Sequence, residues 1–299
     1  MIFSSKIRVA VLRGGPSDNY DTSLRTGGHV LATLRDMPET YEPLDIFISK
    51  RGEWHREGLA HKPHRALQYA DVVWNALHGV YGEDGQVQRV LEGLQIPFTG
   101  SSAVASALTM NQDMAKRLYQ RHNLPTPAYE IFTEDSLNED RLINIFRNYL
   151  PPIIVKPARR SHDVSLAYTF NELKEFIKKA LTFSPRVLVE EFIRGKDATC
   201  TVIEDAREEK IYALLPTLSE RSEVGVGKQI EQIAKQAHRA LGLSHYSSSD
   251  FIITPKKKIY LLKTSISPEL HEDSLTYHSL CATGWRSRDF VDHIIKLAI

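Results

Sequence analysis

The chain has 299 residues, enough for two or three folded units rather than one core. It is 42% hydrophobic and 25% charged with a formal net charge of +1, an ordinary globular composition that argues against a nucleic-acid groove or an anionic-membrane surface. No apolar run reaches the roughly 18 residues of a membrane span, and Met1 to Lys6 lacks the apolar core of a signal peptide. Cys200 and Cys281 lie far apart and read as buried free thiols of a reducing compartment, so the expected location is cytoplasmic.

Residues 7–12 form a short apolar run of strand type, followed by the loop Arg13-Gly14-Gly15-Pro16-Ser17. Asp18 is the expected N-cap of the next helix, with Asp21 as its capping-box partner, and Leu24, Gly27, Val30, Leu31 and Leu34 fit a face packed on a sheet. Residues 43–48 predict a second strand and 50–54 a turn into a hairpin. Residues 71–77 predict another strand, broken at His78 by a loop with three glycines, after which Val87, Val90, Leu91 and Leu94 return to helical spacing. Strand, Gly-rich loop and helix in that order mark the place where α/β sheets keep ligands. A tight turn with a solvated Glu83-Asp84 pair would read the same way.

Further on, residues 108–123 predict one helix ended by Pro125-Thr126-Pro127, with Lys116 facing water. Residues 151–157 are a buried strand ending in Lys156, and 170–181 an amphipathic helix with Leu173, Phe176, Ile177 and Ala180 inward. Residues 186–195 read as strand and hinge. Residues 204–210 read as a hairpin turn, 211–216 as its return strand, 218–227 as a linker, and 229–241 as a helix stopped by Gly242. Residues 247–253 and 258–265 are two strands joined by 254–257.

Three segments carry a family signature: NALHGVYGEDG at 75–85, IPFTGSS at 96–102 and ASALTMN at 105–111. Together they resemble the D-alanine–D-alanine ligases, ATP-grasp enzymes that make the dipeptide of bacterial cell walls, and the resemblance runs over essentially the whole chain. It implies an α/β protein with an ATP-grasp fold preceded by a Rossmann-like (pre-ATP-grasp) N-terminal domain. The implied units are 1–101, a central ATP-grasp subdomain (lid) at 102–192 and a C-terminal ATP-grasp subdomain at 193–299, with dimerisation through the first. By the same resemblance Asp21 helps hold the first D-alanine, although helix capping explains it without substrate. His78 reaches a substrate carboxylate or the neighbouring loop, unless its role is structural. Lys156 contacts ATP, Glu190 and the backbone of Glu191 and Ile193 meet adenine, and Asp197 meets the ribose. A snorkelling strand-end lysine and exposed acids after a strand are the plainer readings.

The sequence departs from that family at the chemistry. Gln112 stands where a phosphate-binding lysine is usual, and Arg159-Arg160-Ser161-His162-Asp163-Val164-Ser165 lacks the glycines of the phosphate lid. The long loop that closes over the reactants is expected to be deleted. Of the metal and oxyanion residues only Asp250 survives: Ser248 replaces arginine, Lys263 replaces glutamate, Ser265 replaces asparagine and Glu269 falls at the glycine. Lys263 is expected to replace the cation, pairing with Asp250 and Glu269. The resulting expectation is a binding or regulatory relative in which ATP is weakly held and Mg²⁺ doubtful. Its small-molecule partners would be an adenine nucleotide and D-alanine, with no nucleic-acid or membrane partner, and its protein partner a second copy or an active ligase. The alternative is a working ligase with an unusual site.

Overall fold

The computed structural model describes residues 6–159, 164–218 and 225–299. Strand β1 (Ile7–Gly14), helix α1 (Tyr20–Arg35), strands β2 (Tyr41–Ile48), β3 (Trp54–Arg56) and β4 (Leu59–His61), the short helix α2 (Pro63–Ala66) and strand β5 (Val72–Asn75) come first. They build a five-stranded sheet of order β4-β3-β2-β1-β5, in which β1 runs parallel to both β2 and β5 and β3 forms the expected hairpin with β2. The continuous apolar runs of β1 and β5 are buried, as parallel strands covered on both faces require. α1 starts differently from expectation. Its N-cap is Asn19, with no side-chain cap bond, and Asp21 is exposed in the first turn.

Helices α3 (Gln86–Gly93), α4 (Ala103–Met110) and α5 (Gln112–Arg121) follow. The single helix expected at 108–123 is broken because Asn111 adopts extended backbone and its side chain accepts from Met114 N, making it the N-cap of α5. Strand β6 (Tyr129–Phe132), helix α6 (Glu139–Asn148), strands β7 (Ile153–Pro157) and β8 (Ser165–Ala167), helix α7 (Phe170–Phe183) and strand β9 (Val187–Glu191) form a second layer pair. Its sheet has the order β6-β9-β7-β8 and its own core, built from Phe132, Leu142, Val155, Leu173 and Val189 among others. Thr169 and Glu172 close a complete capping box at the start of α7.

Strands β10 (Lys196–Ala206), β11 (Glu209–Ala213) and β12 (Thr217–Leu218), helix α8 (Val226–Ala240), strands β13 (Tyr246–Ile253) and β14 (Ile259–Ser265) and helices α9 (Leu275–Ala282) and α10 (Ser287–Ala298) complete the chain. The third sheet is antiparallel with the order β11-β10-β13-β14, and β12 pairs with β10. The β10–β11 hairpin turns on Arg207 and Glu208, both at positive φ. The linker expected at 218–227 falls largely on residues 219–224, outside the described residues. α4 and α5 pack into the core of this third sheet through Ala105, Ala115 and Tyr119. α10 crosses back to the first sheet, where Phe290 meets Trp74 of β5 and Tyr246 of β13 edge-on, with Trp74 and Tyr246 stacked at 6.2 Å. Cys200 is buried, whereas Cys281 lies exposed on α9, not in the core. Among the described residues no helix is long and apolar enough to cross a membrane.

Candidate functional site

A cavity of about 450 Å³ opens between the loops after β1 and β5, the first turns of α5 and the face of the third sheet. The β5 loop owes its shape to Asn75, whose carboxamide donates to Gly82 O at 3.0 Å and accepts from Leu77 N at 3.2 Å. Gly85 sits at φ 88°, where a side chain would also collide with the Ala103 carbonyl, so the turn into α3 needs glycine. Glu83 is not solvated as in the plain-turn reading. Its carboxylate accepts from Gly79 N at 2.6 Å and from Ser265 Oγ at 2.7 Å, tying this loop to the end of β14. Burial pushes its pKa up, outweighing the hydrogen bonds from Ser265 and Gly79.

His78 is buried, with Nε2 3.0 Å from Thr26 Oγ1, and burial lowers its pKa to about 4 against the opposing pull of Glu269. It is neutral at pH 7. Ser17 donates to His78 O at 2.5 Å, joining the two loops. Asp18 and Asn19 line the cavity, while Asp21, the residue expected there, does not.

The cavity floor is a grid set by strand register. Thr201, Ser248 and Ser265 stand side by side on β10, β13 and β14, and Thr199, Asp250 and Lys263 form the next row on the same face. The contacts follow the rows. Thr201 Oγ1 lies 3.2 Å from Ser248 Oγ, Thr199 Oγ1 donates to Asp250 Oδ1 at 2.9 Å, and Lys263 Nζ lies 3.4 Å from Asp250 Oδ2. Both members of that ion pair keep substantial exposure, 46% for Lys263 and 38% for Asp250. Glu269, expected as a second partner of Lys263, instead pairs with His271 Nε2 at 3.1 Å. A divalent cation needs several hard oxygen ligands. Here an ammonium already occupies the carboxylate, and among the described residues no three His, Cys, Asp or Glu side chains converge on a point that could hold a metal. The floor does not fit Mg²⁺.

α5 lines the cavity wall with Gln112, Ala115, Lys116 and Tyr119, one stripe at helical spacing. Lys116 does not face water. It is 1% exposed, donates to Thr126 Oγ1 at 2.7 Å and contacts the Glu190 carboxylate. Lys156 reaches the other oxygen of Glu190 at 2.9 Å. Burial alone would push the Glu190 pKa up, but the two ammonium groups outweigh it and hold the carboxyl below its usual range. Burial lowers the Lys116 pKa in turn, against the opposing pull of Glu190. Glu191 accepts from Ala128 N at 2.8 Å, and Asp197 is exposed.

The structure therefore gathers His78, Ser248, Asp250, Lys263 and Ser265 around one cavity, and adds Glu83 and Lys116, which sequence reasoning did not place there. Lys156, Glu190, Glu191, Ile193 and Asp197 do not line it; the first two adjoin it through Lys116. Asp163, expected to oppose phosphate, lies outside the described residues. The pairing of Lys116 had no local signal, because Glu190 is 74 positions away and reaches it only through the fold.

Solved structures with the same architecture include the D-alanine–D-alanine ligase from Coxiella burnetii, with a TM-score of 0.88 and 24% identity, covering 98% of this chain and 95% of that one. The VanG D-Ala:D-Ser ligase from Enterococcus faecalis superposes with a TM-score of 0.86 at 22% identity, over 99% of this chain and 100% of its own. The Bacillus anthracis D-alanine–D-alanine ligase, solved with ATP, gives 0.82 at 24% identity, over 98% and 96%. The fold is thus that of the ATP-grasp ligases. The family models described as D-ala D-ala ligase N-terminus and C-terminus match residues 56–101 and 118–222. The D-alanine–D-alanine ligase of Aquifex aeolicus is 33% identical over 90% of this chain and 93% of its own length. This chain belongs to the D-alanine–D-alanine ligase family.

Proposed function

We propose that this chain is a binding or regulatory member of its family, linked to cell-wall precursor metabolism, that takes an adenine nucleoside or nucleotide without carrying out dipeptide ligation. The observation that carries the reading is the Lys263 ammonium 3.4 Å from the Asp250 carboxylate on the cavity floor. A fixed ammonium neutralises the acid but cannot coordinate phosphate oxygens as a metal does. Ser248, beside it, brings a hydroxyl dipole in place of a full positive charge, and loss of one oxyanion donor alone typically costs roughly 10²–10³ in rate.

The residues at the other edge suit the nucleotide base better than its phosphates. Lys156 and Glu190, with the backbone of Glu191 and Ile193, would hold adenine, and Asp197 the ribose. ATP, when bound, would bring a transferable phosphoryl group, but the described cavity lining carries four acidic side chains, Asp18, Glu83, Asp250 and Glu269, against three cations, Lys116, Arg159 and Lys263. Triphosphate binding is weak on this reading, and D-alanine is the second small molecule. The protein acts in the cytoplasm as a homodimer or beside an active ligase.

The match over nearly full length to named ligases favours a second reading, an active D-alanine–D-alanine or D-alanine–D-X ligase with an unusual site. Phosphate release and dipeptide formation with ATP, Mg²⁺ and D-alanine decide between them. Absence of both supports the first reading; steady turnover establishes the second.

A further inference from the structure

Away from the cavity, three histidines gather around Glu204 where the first sheet meets the third. Glu204, on β10, grips His245 from both sides: its Oε2 accepts from His245 N at 2.6 Å, and its own N donates to His245 O at 2.8 Å. His238 of α8 holds Nε2 3.4 Å from Glu204 Oε1 and Nδ1 2.8 Å from Ser247 Oγ, while His293 of α10 donates from Nε2 to Glu204 O at 2.7 Å. His245 itself sits at φ 65°, a left-handed backbone uncommon outside glycine. Such a conformation persists only where its surroundings over-determine it, and the Glu204 grip does that.

The grip aims the ring. Gly100 N donates to His245 Nδ1 at 3.0 Å. A backbone N–H only donates, so Nδ1 presents its lone pair and the neutral ring carries its proton on Nε2. Protonating the imidazole puts a hydrogen on Nδ1 as well, and two N–H groups then face each other with no acceptor between them. Gly100 lies on the crossing from the first sheet to α4: Thr99 N donates to Val73 O at 2.9 Å, Ser101 Oγ accepts from Ser244 N at 3.1 Å, and Ser102 caps α4, which ends at Met110 on the cavity wall. Burial lowers the His245 pKa, against the pull of Glu204 and with the help of His238 and His293. β13 itself adds Tyr246, whose hydroxyl bonds Thr99, and residues 99–102 bring only hydroxyls and backbone.

We propose that His245 is an acid-sensitive latch between the first and third sheets, closed while Nδ1 accepts from Gly100 and released when the ring takes a proton. The latch goes beyond the proposed function and does not depend on which ligand the cavity takes. Its sign follows from linkage. The folded chain holds the ring's pKa below the ordinary 6.5, so the contact is fully present above that pH and is lost as pH falls through the depressed folded value.

The experiment follows hydrogen exchange of the Gly100 amide by NMR in the full chain, from about pH 8 down to about pH 4, in the wild type, His245→Asn and His245→Gly. Asparagine tolerates the left-handed backbone and offers Oδ1 in the place of Nδ1 without titrating. Glycine keeps the backbone and offers no acceptor. At the alkaline end the wild type and His245→Asn should protect Gly100 alike, and His245→Gly roughly five- to tenfold less, as one lost hydrogen bond predicts. Toward acid, after correction for the intrinsic pH dependence of exchange, the wild type should fall to the level of His245→Gly while His245→Asn stays flat. The His78 titration is common to all three proteins and cancels. Nitrogen NMR of the wild-type ring should show a bare Nδ1 at the alkaline end, and this together with His245→Gly decides the matter should His245→Asn fail to fold. Wild-type protection that tracks His245→Asn over the whole range, a Gly100 amide indifferent to His245→Gly, or a proton on Nδ1 at the alkaline end overturns the latch.

Discussion

Lys263 carries the proposed binding role, and its exposure sets the scale of its effect. A fully buried pair would lose about 3–5 kcal/mol on breaking; this half-exposed one stands closer to a surface pair, worth up to about 1 kcal/mol. Lys263→Glu should therefore lower the melting temperature modestly in chelator, and millimolar Mg²⁺ or Mn²⁺ should recover part of the loss by binding the two facing acids in the folded state only. The wild type should show no metal dependence, and identical melts for the two proteins would end the idea. His78 gives a second test at this scale. Its burial, between Thr26 and the Glu269–His271 pair, lowers its pKa from 6.5 to about 4, so the folded state binds fewer protons than the unfolded chain in that window. The stability it contributes is complete above pH 6.5 and drains away as pH falls toward 4, by an amount on the order of 3 kcal/mol. Relative to the wild type, His78→Gln should melt with a flatter dependence on pH between 6.5 and 4. Parallel curves would place the histidine in solvent.

Among the elements, those with strong periodicity or flanking turns were legible. β1, β2 and β5 of the first sheet, α7 and the β13–β14 pair all fall within a few residues of where apolar runs, helical spacing and turn chemistry set them. What escaped did so for different reasons. Asn111 looks like a helix-interior residue in a run of helix formers, yet its side chain turns back on Met114 N and starts a new helix at the cavity wall. Asp21 looked like a cap and like a substrate ligand, and the chain uses Asn19 at the helix start instead. Helix α10 carries Phe290, Val291, Ile294 and Ile295 on one buried face, a pattern that could have been found from spacing alone. Asn111→Ala should cost about 1 kcal/mol through the lost cap. A melting temperature lower by roughly 2–4 °C would fit that figure, and an unchanged one would mean the break in the helix is enforced by packing alone.

At the scale of the molecule, the proposed reading has the departures from the family motifs acting together. Restoring arginine at Ser248, glutamate at Lys263 and asparagine at Ser265 in one variant should still give no D-alanyl-D-alanine, because groups that act as a unit fail as a unit. Robust dipeptide synthesis by that triple variant would show that these three positions alone separate this chain from a ligase. The aromatic contact of Trp74, Tyr246 and Phe290 has a mechanical consequence. It welds the first sheet, the third sheet and the C-terminal helix into one jaw, and the Glu83–Ser265 bond rivets the same two sheets at the cavity rim. The second sheet keeps a core of its own, so the other jaw is the segment from β6 to β9. A calorimetric scan should resolve a small early transition for that segment and a large late one for the rest. A fragment ending at residue 101 would bare one side of Trp74 and should not fold alone. The grid of hydroxyls lies wholly in the larger of these two units.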